Sequence, residues 1–431
     1  MNILSHKDPG FAAGLERLFA PSSLFDAGIE RQTRAIIDAV QARGDEALIE
    51  FTERFGGAKL TPDQLAVSQA ELLTASVQAS EALRSAVRET QKNVEAFARR
   101  SLRKDWQMRN SHGAVVGEKF DPFGRVGIYI PGGAAPLAST AVMTIPLARV
   151  AGCREIVVCT PCDKQGHVNP AVLYAARHAG ATEIYRVGGS QAIAAMVFGT
   201  RSIPRVQKIF GPGNAYVVAA KRLLFGYAAM DLLPGPSELL VLADETANAA
   251  YAAADLLAQA EHGSGHERVW LVTTSLKLRQ AVEQELALQS AESKRPGFIQ
   301  KVLAANTWLI HVATMTQGVE ITNRIAPEHL EIMTRHSGNV ARKITTAGAI
   351  FLGNYSPTVL GDYVAGPSHT LPTGGAGASF AGLTVDQFQR RTSIVEYKKP
   401  ALKKALKAVQ TFAHMEGLDA HGRSAEIRLR E

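Results

Sequence analysis

Ala148-Arg149-Val150-Ala151-Gly152-Cys153-Arg154-Glu155-Ile156 returns 28 residues later as Ala176-Arg177-His178-Ala179-Gly180-Ala181-Thr182-Glu183-Ile184. Each copy reads as the last turn of a helix, a glycine suited to the left-handed cap position, and the first residues of a strand. Two copies in succession mean two helix–strand units in succession, and strands alternating with helices build parallel sheets through right-handed crossovers. Val206-Gln207-Lys208-Ile209-Phe210 reads as the next strand of that series.

Working outward, a second β-rich series begins at Glu238-Leu239-Leu240-Val241-Leu242-Ala243 and continues through residues 268–273, 308–312 and 348–352, with helical patterns between. Upstream, from Asp26 to about Leu102, apolar residues fall at helical spacing, with Gly44 and Gly56-Gly57 as breaks. The last fifty or so residues read as a helical tail. The expected fold is therefore α/β, with two Rossmann-like parallel-sheet domains, a helical N-terminal segment and a helical C-terminal tail. In residue terms, 1–24 form an N-terminal extension, 25–124 join 238–380 in the first α/β domain, 125–237 form the second, and 381–431 are the tail.

Bulk properties agree. The 431 residues exceed one ordinary core, and 46% hydrophobic content with 37 scattered glycines excludes disordered and collagen-like classes. The start lacks the basic and apolar runs of a signal peptide, and no apolar run spans a bilayer, so the expectation is a cytoplasmic protein without a membrane partner. Cys153, Cys159 and Cys162 are too few and too clustered for a disulfide framework. Cys159-Thr160-Pro161-Cys162 has the C-x-x-C form, but no second pair completes a four-thiolate zinc site, and 156–159 read as the end of a buried strand. The net charge of +7 is dispersed among acidic residues and forms no stripe, which argues against nucleic acid as a partner. The dense cluster Lys398, Lys399, Lys403, Lys404 and Lys407 falls on the solvated face of an amphipathic helix starting near Pro400.

No G-x-G-x-x-G follows a strand, so the ordinary dinucleotide fingerprint is missing. Three glycine-rich turns at strand ends take its place: Tyr129-Ile130-Pro131-Gly132-Gly133, Val187-Gly188-Gly189-Ser190-Gln191 and Phe210-Gly211-Pro212-Gly213-Asn214. Each alone is an ordinary strand–helix connection as readily as a ligand site; three in one unit point to a nucleotide-sized ligand beyond the carboxyl ends of the strands. Polar clusters lie downstream. Gln259 and His262, three apart at the end of a helical pattern, share a face where an amide oxygen and an imidazole can hold a metal, although a polar last turn with its histidine favoured by the helix dipole explains them too. Glu328-His329, between Pro327 and the apolar Leu330 and Ile332, should sit at the edge of a core, where burial tunes proton affinities. Asp362, His369 and the tail segment Glu416-Gly417-Leu418-Asp419-Ala420-His421 complete the set.

Taken together these motifs resemble the histidinol dehydrogenase family. Ile130-Pro131-Gly132-Gly133, Gly211-Pro212-Gly213-Asn214, Gly235-Pro236-Ser237-Glu238, Gln259-Ala260-Glu261-His262, Ala326-Pro327-Glu328-His329, Gly361-Asp362-Tyr363 and 416–421 occur in that family's order and spacing along nearly the whole chain after the first twenty residues. The resemblance implies an aldehyde-dehydrogenase-like pair of domains and an NAD-dependent, two-step oxidation of L-histidinol through L-histidinaldehyde to L-histidine. It further implies one zinc ion per subunit, held by Gln259, His262, Asp362 and His421, which orients the substrate. His329 would then be the general base and Glu328 would activate water. Ser237 and Glu416, with His369, would add substrate contacts, and Tyr129, Gln191 and Asn214 would contact NAD. It also implies a homodimer whose tail supplies His421 and Glu416 to the partner's site. Ser368 departs from the asparagine the family commonly carries there. Competing expectations are a zinc- and NAD-dependent dehydrogenase for another small alcohol, a non-catalytic binding scaffold, and an aldehyde dehydrogenase with a cysteine nucleophile. The last is disfavoured because no cysteine neighbours the proposed site.

Overall fold

A computed structural model describes residues 1–19, 26–132 and 137–430. Gly133 of the first glycine turn and the expected boundary between residues 24 and 25 lie outside the described residues.

Two parallel sheets organise the chain. The smaller has five strands in the order Glu183–Tyr185, Glu155–Cys159, Arg125–Tyr129, Lys208–Phe210 and Ala229–Met230. Its inner strands are apolar on both faces, as a sheet covered by helices on either side requires. The repeated segments form as read: the helices Ala138–Ala151 and Pro170–Ala179 end on Gly152 and Gly180, both left-handed, and Glu155 and Glu183 open the next strands. Those two carboxylates and Arg125 stand at the amino ends of three neighbouring strands, where the Arg125 guanidinium pairs with both.

The larger sheet has six parallel strands in the order Asn2–Ser5, Thr307–His311, Arg268–Thr273, Glu238–Ala243, His329–Met333 and Ala349–Leu352. Two of these depart from expectation. Asn2–Ser5, read as part of an extension, is the edge strand beside Thr307–His311. His329–Met333, not foreseen as a strand, lies between Glu238–Ala243 and Ala349–Leu352 and is buried throughout.

The segment grouped by sequence with the larger sheet packs mostly on the smaller one. Helices Ala27–Arg43 and Asp45–Gly56 contribute Ile36, Val40, Leu48 and Phe51 to the core beneath Tyr129, Val157 and Ile193. Helices Gln69–Gln78 and Glu81–Ser101 place Leu72, Val87 and Val94 on the opposite face. Apolar periodicity predicts a buried face but not which sheet it meets.

A third, antiparallel sheet has three strands in the order Gln389–Glu396, Val115–Pro122 and Trp106–Arg109. The tail thus begins as a strand before its helices Lys399–Met415 and Asp419–Glu426, which pack chiefly on each other. The clustered lysines do face solvent, with Ala401 and Ala405 turned inward. Among the described residues no helix is long and apolar enough to cross a membrane.

Candidate active site and nucleotide cavity

The polar residues singled out downstream converge at the amino-terminal ends of the larger sheet's strands. Glu328 and His329 enter strand His329–Met333 beside Glu238, and all three side chains are buried. The Glu238 main chain grips both neighbours. Its N–H donates to Glu328 Oε2 (2.8 Å), and its carbonyl accepts from His329 Nδ1 (2.9 Å). A carbonyl can only accept, so Nδ1 carries a proton, and in the neutral ring Nε2 is left with a free lone pair.

The same arrangement recurs twice. His262 Nδ1 lies 3.1 Å from the Gln259 carbonyl oxygen, and His369 Nδ1 lies 3.2 Å from the Asp362 carbonyl oxygen. Three imidazoles thus lie with Nδ1 beside a main-chain carbonyl, and His262 Nδ1 also lies 3.2 Å from Gln259 Nε2. His329 Nε2 stands 3.7 Å from Asp362 Oδ1, and the charges of His262 and Asp362 act on both His329 and His369. Burial holds the His329 and His369 rings below the ordinary histidine value against the pull of Asp362. Burial likewise pushes Glu328 well above the ordinary carboxyl range, reinforced by the Glu238 and Asp362 charges, and raises Glu238 to about 7.

Helix ends carry the remaining groups. Gln259 closes helix Ala249–Ala260 and His262 follows directly, while Asp362 lies in the last turn of helix Thr358–Tyr363. That second helix is tied to the other lobe: Thr90 Oγ1 donates to the Tyr363 carbonyl (2.6 Å), and Asn93 Nδ2 donates to the Val364 carbonyl (2.8 Å). Ser237, half-buried, precedes strand Glu238–Ala243. His421 and Glu416 are exposed on the tail, whose two helices pack chiefly on each other. Among the described residues no group of three or more His, Cys, Asp or Glu of one chain is gathered closely enough to hold a metal.

The smaller sheet carries a different feature at its carboxyl ends, a cavity of about 760 Å³. Tyr129, Gln191 and Asn214 all line it, together with Gly188 and, from the N-terminal helices, Gln32 and Phe51. Tyr129 Oη accepts from the Gly189 N–H (3.0 Å), which fixes the second glycine turn over the first; burial raises this phenol to about 12. Asn214 caps helix Ala215–Leu223 by accepting from the Tyr216 and Val217 N–H groups. Gly211 adopts φ +108, and a Cβ there would lie 2.1 Å from the Tyr129 carbonyl oxygen, so only glycine fits. Its turn is pinned from below by fully buried Lys221, which donates to the Gly211 carbonyl (2.6 Å) and pairs with Asp231; Asp231 Oδ2 accepts from the Gly211 N–H (2.7 Å). Cys162 also lines the cavity, with its thiol raised by burial.

The histidinol dehydrogenase family model matches residues 22–429. The chain belongs to the histidinol dehydrogenase family. Among curated relatives, it is 43% identical to the histidinol dehydrogenase of Synechococcus sp., covering 99% of this chain and 98% of that one. It is 42% identical to that of Geobacillus kaustophilus, over 96% and 99%. The crystal structure of histidinol dehydrogenase from Elizabethkingia anophelis superposes with a TM-score of 0.95 at 34% identity, covering 100% of this chain and 98% of that one. The α/β fold and the family read from the motifs both stand, and the family is one of oxidoreductases. Sequence reasoning passed over Glu238, Asp255 and Glu331, three carboxyls buried around Glu328-His329. Acidic residues inside apolar strand and helix patterns were the signal that marked them.

Proposed function

We propose that this protein oxidises L-histidinol with NAD, through L-histidinaldehyde, to L-histidine, the last step of histidine biosynthesis. The observation that carries the reading is the set of imidazoles with Nδ1 on main-chain carbonyls around Asp362, with buried Glu328 alongside, in a chain of this family.

The residues fit a zinc ion. His262 Nδ1 lies against the Gln259 carbonyl oxygen, a contact that orients the ring, and Gln259 and Asp362 supply oxygen donors of the kind zinc accepts. Gln259, His262 and Asp362 would hold it with His421 from the partner subunit's tail, one ion per subunit of a homodimer. Zinc, when bound, would grip the substrate's amino and imidazole nitrogens and so hold the reactive aldehyde between the two oxidations. Ser237, His369 and the partner's Glu416 would complete the substrate pocket. NAD, bound in the cavity at Tyr129, Gln191 and Asn214, would accept the hydride of each oxidation.

His329 is the base. Its Nε2 lone pair takes the hydroxyl proton as the alcohol carbon gives up its hydride, and Nδ1–H donating to Glu238 keeps that tautomer in place. In the second oxidation water adds to the aldehyde, and Glu328 in its carboxylate form takes a proton from that water as the new C–O bond forms. The free cysteines, none in a disulfide, suit a reducing cytoplasm. Incubation of zinc-loaded protein with NAD and a panel of small amino alcohols tests the reading. L-histidinol alone should yield NADH together with L-histidine; turnover of another alcohol in its place would overturn the substrate assignment.

A further inference from the structure

Gln259, His329 and Asp362 sit on three separate elements, and each element carries a second residue directed to a common buried junction. Asp255 precedes Gln259 by one helical turn, Glu331 follows His329 by one strand repeat, and Thr358 precedes Asp362 by one helical turn. Each offset is about 6 Å along its element. At the junction the Thr358 main-chain N–H donates to Glu331 Oε1 (2.7 Å). The other oxygen, Glu331 Oε2, is buried without an N–H or O–H donor, and the Asp255 carboxyl lies within hydrogen-bond reach of Glu331. Glu331 is 1% exposed and Asp255 9%. Among the described residues neither is ion-paired with a lysine or arginine. Two adjoining carboxylates cannot both stay ionised in such surroundings; one proton between them turns repulsion into a short O–H···O⁻ bond of about 2.6 Å.

We propose that Asp255 and Glu331 share one proton and act as the positioning pair that sets Gln259, His329 and Asp362 against one another. What those three residues do rests on the function proposed above; the shared proton does not. Burial raises Asp255 to about 6 and Glu331 well above the ordinary carboxyl range, the direction needed for a proton to persist near neutrality. Apolar side chains would fill the same space, but a single charge-assisted hydrogen bond fixes distance and angle as well. The helix bearing Gln259 is thus locked to the strand bearing His329, and the Thr358 N–H locks the helix bearing Asp362 to the same carboxyl.

The test compares amide with alanine variants. Glu331→Gln and Asp255→Asn each replace the acid O–H by an amide N–H and keep one negative charge at the junction. Both should stay within about threefold of the parent in zinc affinity, by chelator competition, and in kcat. Glu331→Ala and Asp255→Ala should lose at least about tenfold in both, with KM for NAD unchanged because the cavity belongs to the other sheet. Alanine variants with parental zinc affinity, or amide variants as impaired as the alanines, would overturn the proposal. Infrared difference spectra of metal-free parent minus Glu331→Gln at neutral pH keep the test sound if the alanines do not fold. The C=O band of a buried protonated acid should vanish in the variant, and its persistence would overturn the shared proton. This readout needs neither zinc nor substrate, so inactivity of the parent on L-histidinol would refute only the functional reading.

Discussion

The two sheets present opposite ends to their ligand-facing groups. At the smaller sheet, strands run out at their carboxyl ends into glycine turns, and the cavity faces the starts of helices Gly189–Phe198 and Ala215–Leu223. Helix amino ends carry partial positive charge, suited to an anionic dinucleotide, and at Ala215–Leu223 the Asn214 cap already engages two of the N–H groups. At the larger sheet the polar cluster lies at the amino ends of the strands, where helices Ala249–Ala260 and Thr358–Tyr363 finish with Gln259 and Asp362. Helix carboxyl ends carry partial negative charge, suited to a metal ion and a cationic substrate. One chain thus uses both poles of the strand–helix unit, with side chains working at one and main chain at the other.

The largest expected effect falls on the side-chain pole. His329→Asn should lower kcat by roughly 10²–10⁴-fold, the range for losing a general base, with KM for NAD little changed in steady-state NADH assays. Full turnover would remove His329 from the mechanism. Next comes the tail. His421→Asn and His329→Asn subunits, each nearly inactive alone, should regain about a quarter of parental activity when unfolded together and reassociated, because a mixed dimer has one intact site. No recovery would mean that each tail serves its own chain.

The main-chain pole should respond differently. Gly211→Ala forces a Cβ into the Tyr129 carbonyl, so we expect a rise in KM for NAD and a stability loss on the order of 3 kcal/mol by urea denaturation. Zinc content should stay unchanged. Zinc loss in that variant would break the separation between the poles.

The smallest effect belongs to the far end of the smaller sheet. Arg125→Met should cost about 1–2 kcal/mol after allowing for the partial exposure of Glu155 and Glu183, without altering KM for NAD. Arg125 holds the folded-state proton affinity of Glu183 below its ordinary 4.5. The difference between variant and parent should therefore be full above pH 4.5 and shrink as pH falls below it.

Much of this layout was legible in the sequence because the relevant signals are local. Gly152 and Gly180 mark helix ends whatever surrounds them, and the apolar runs at 155–159 and 238–243 belong to buried strands in any context. The glycine turns drew Tyr129, Gln191 and Asn214 to one cavity for the same reason. His329–Met333 was missed because His-Leu-Glu-Ile-Met alternates polar and apolar residues, the mark of a half-exposed strand. Here both faces are buried, and the polar face is spent on the site and on the acid pair beneath it. The helices of 27–101, grouped in sequence with the larger sheet but free to complete either, pack mostly on the smaller one, because periodicity contains no information about the partner. Strand Gln389–Glu396 pairs antiparallel with Val115–Pro122, far earlier in the chain, a pairing no local pattern announces.

The most direct test of the account is the number of NADH formed per L-histidinol consumed by zinc-loaded protein, run to completion with a carbonyl trap present. The account predicts two NADH, L-histidine as product and no trapped aldehyde, since the substrate stays held between oxidations. One NADH with the aldehyde in the trap would contradict it and remove Glu328 from the role of activating water.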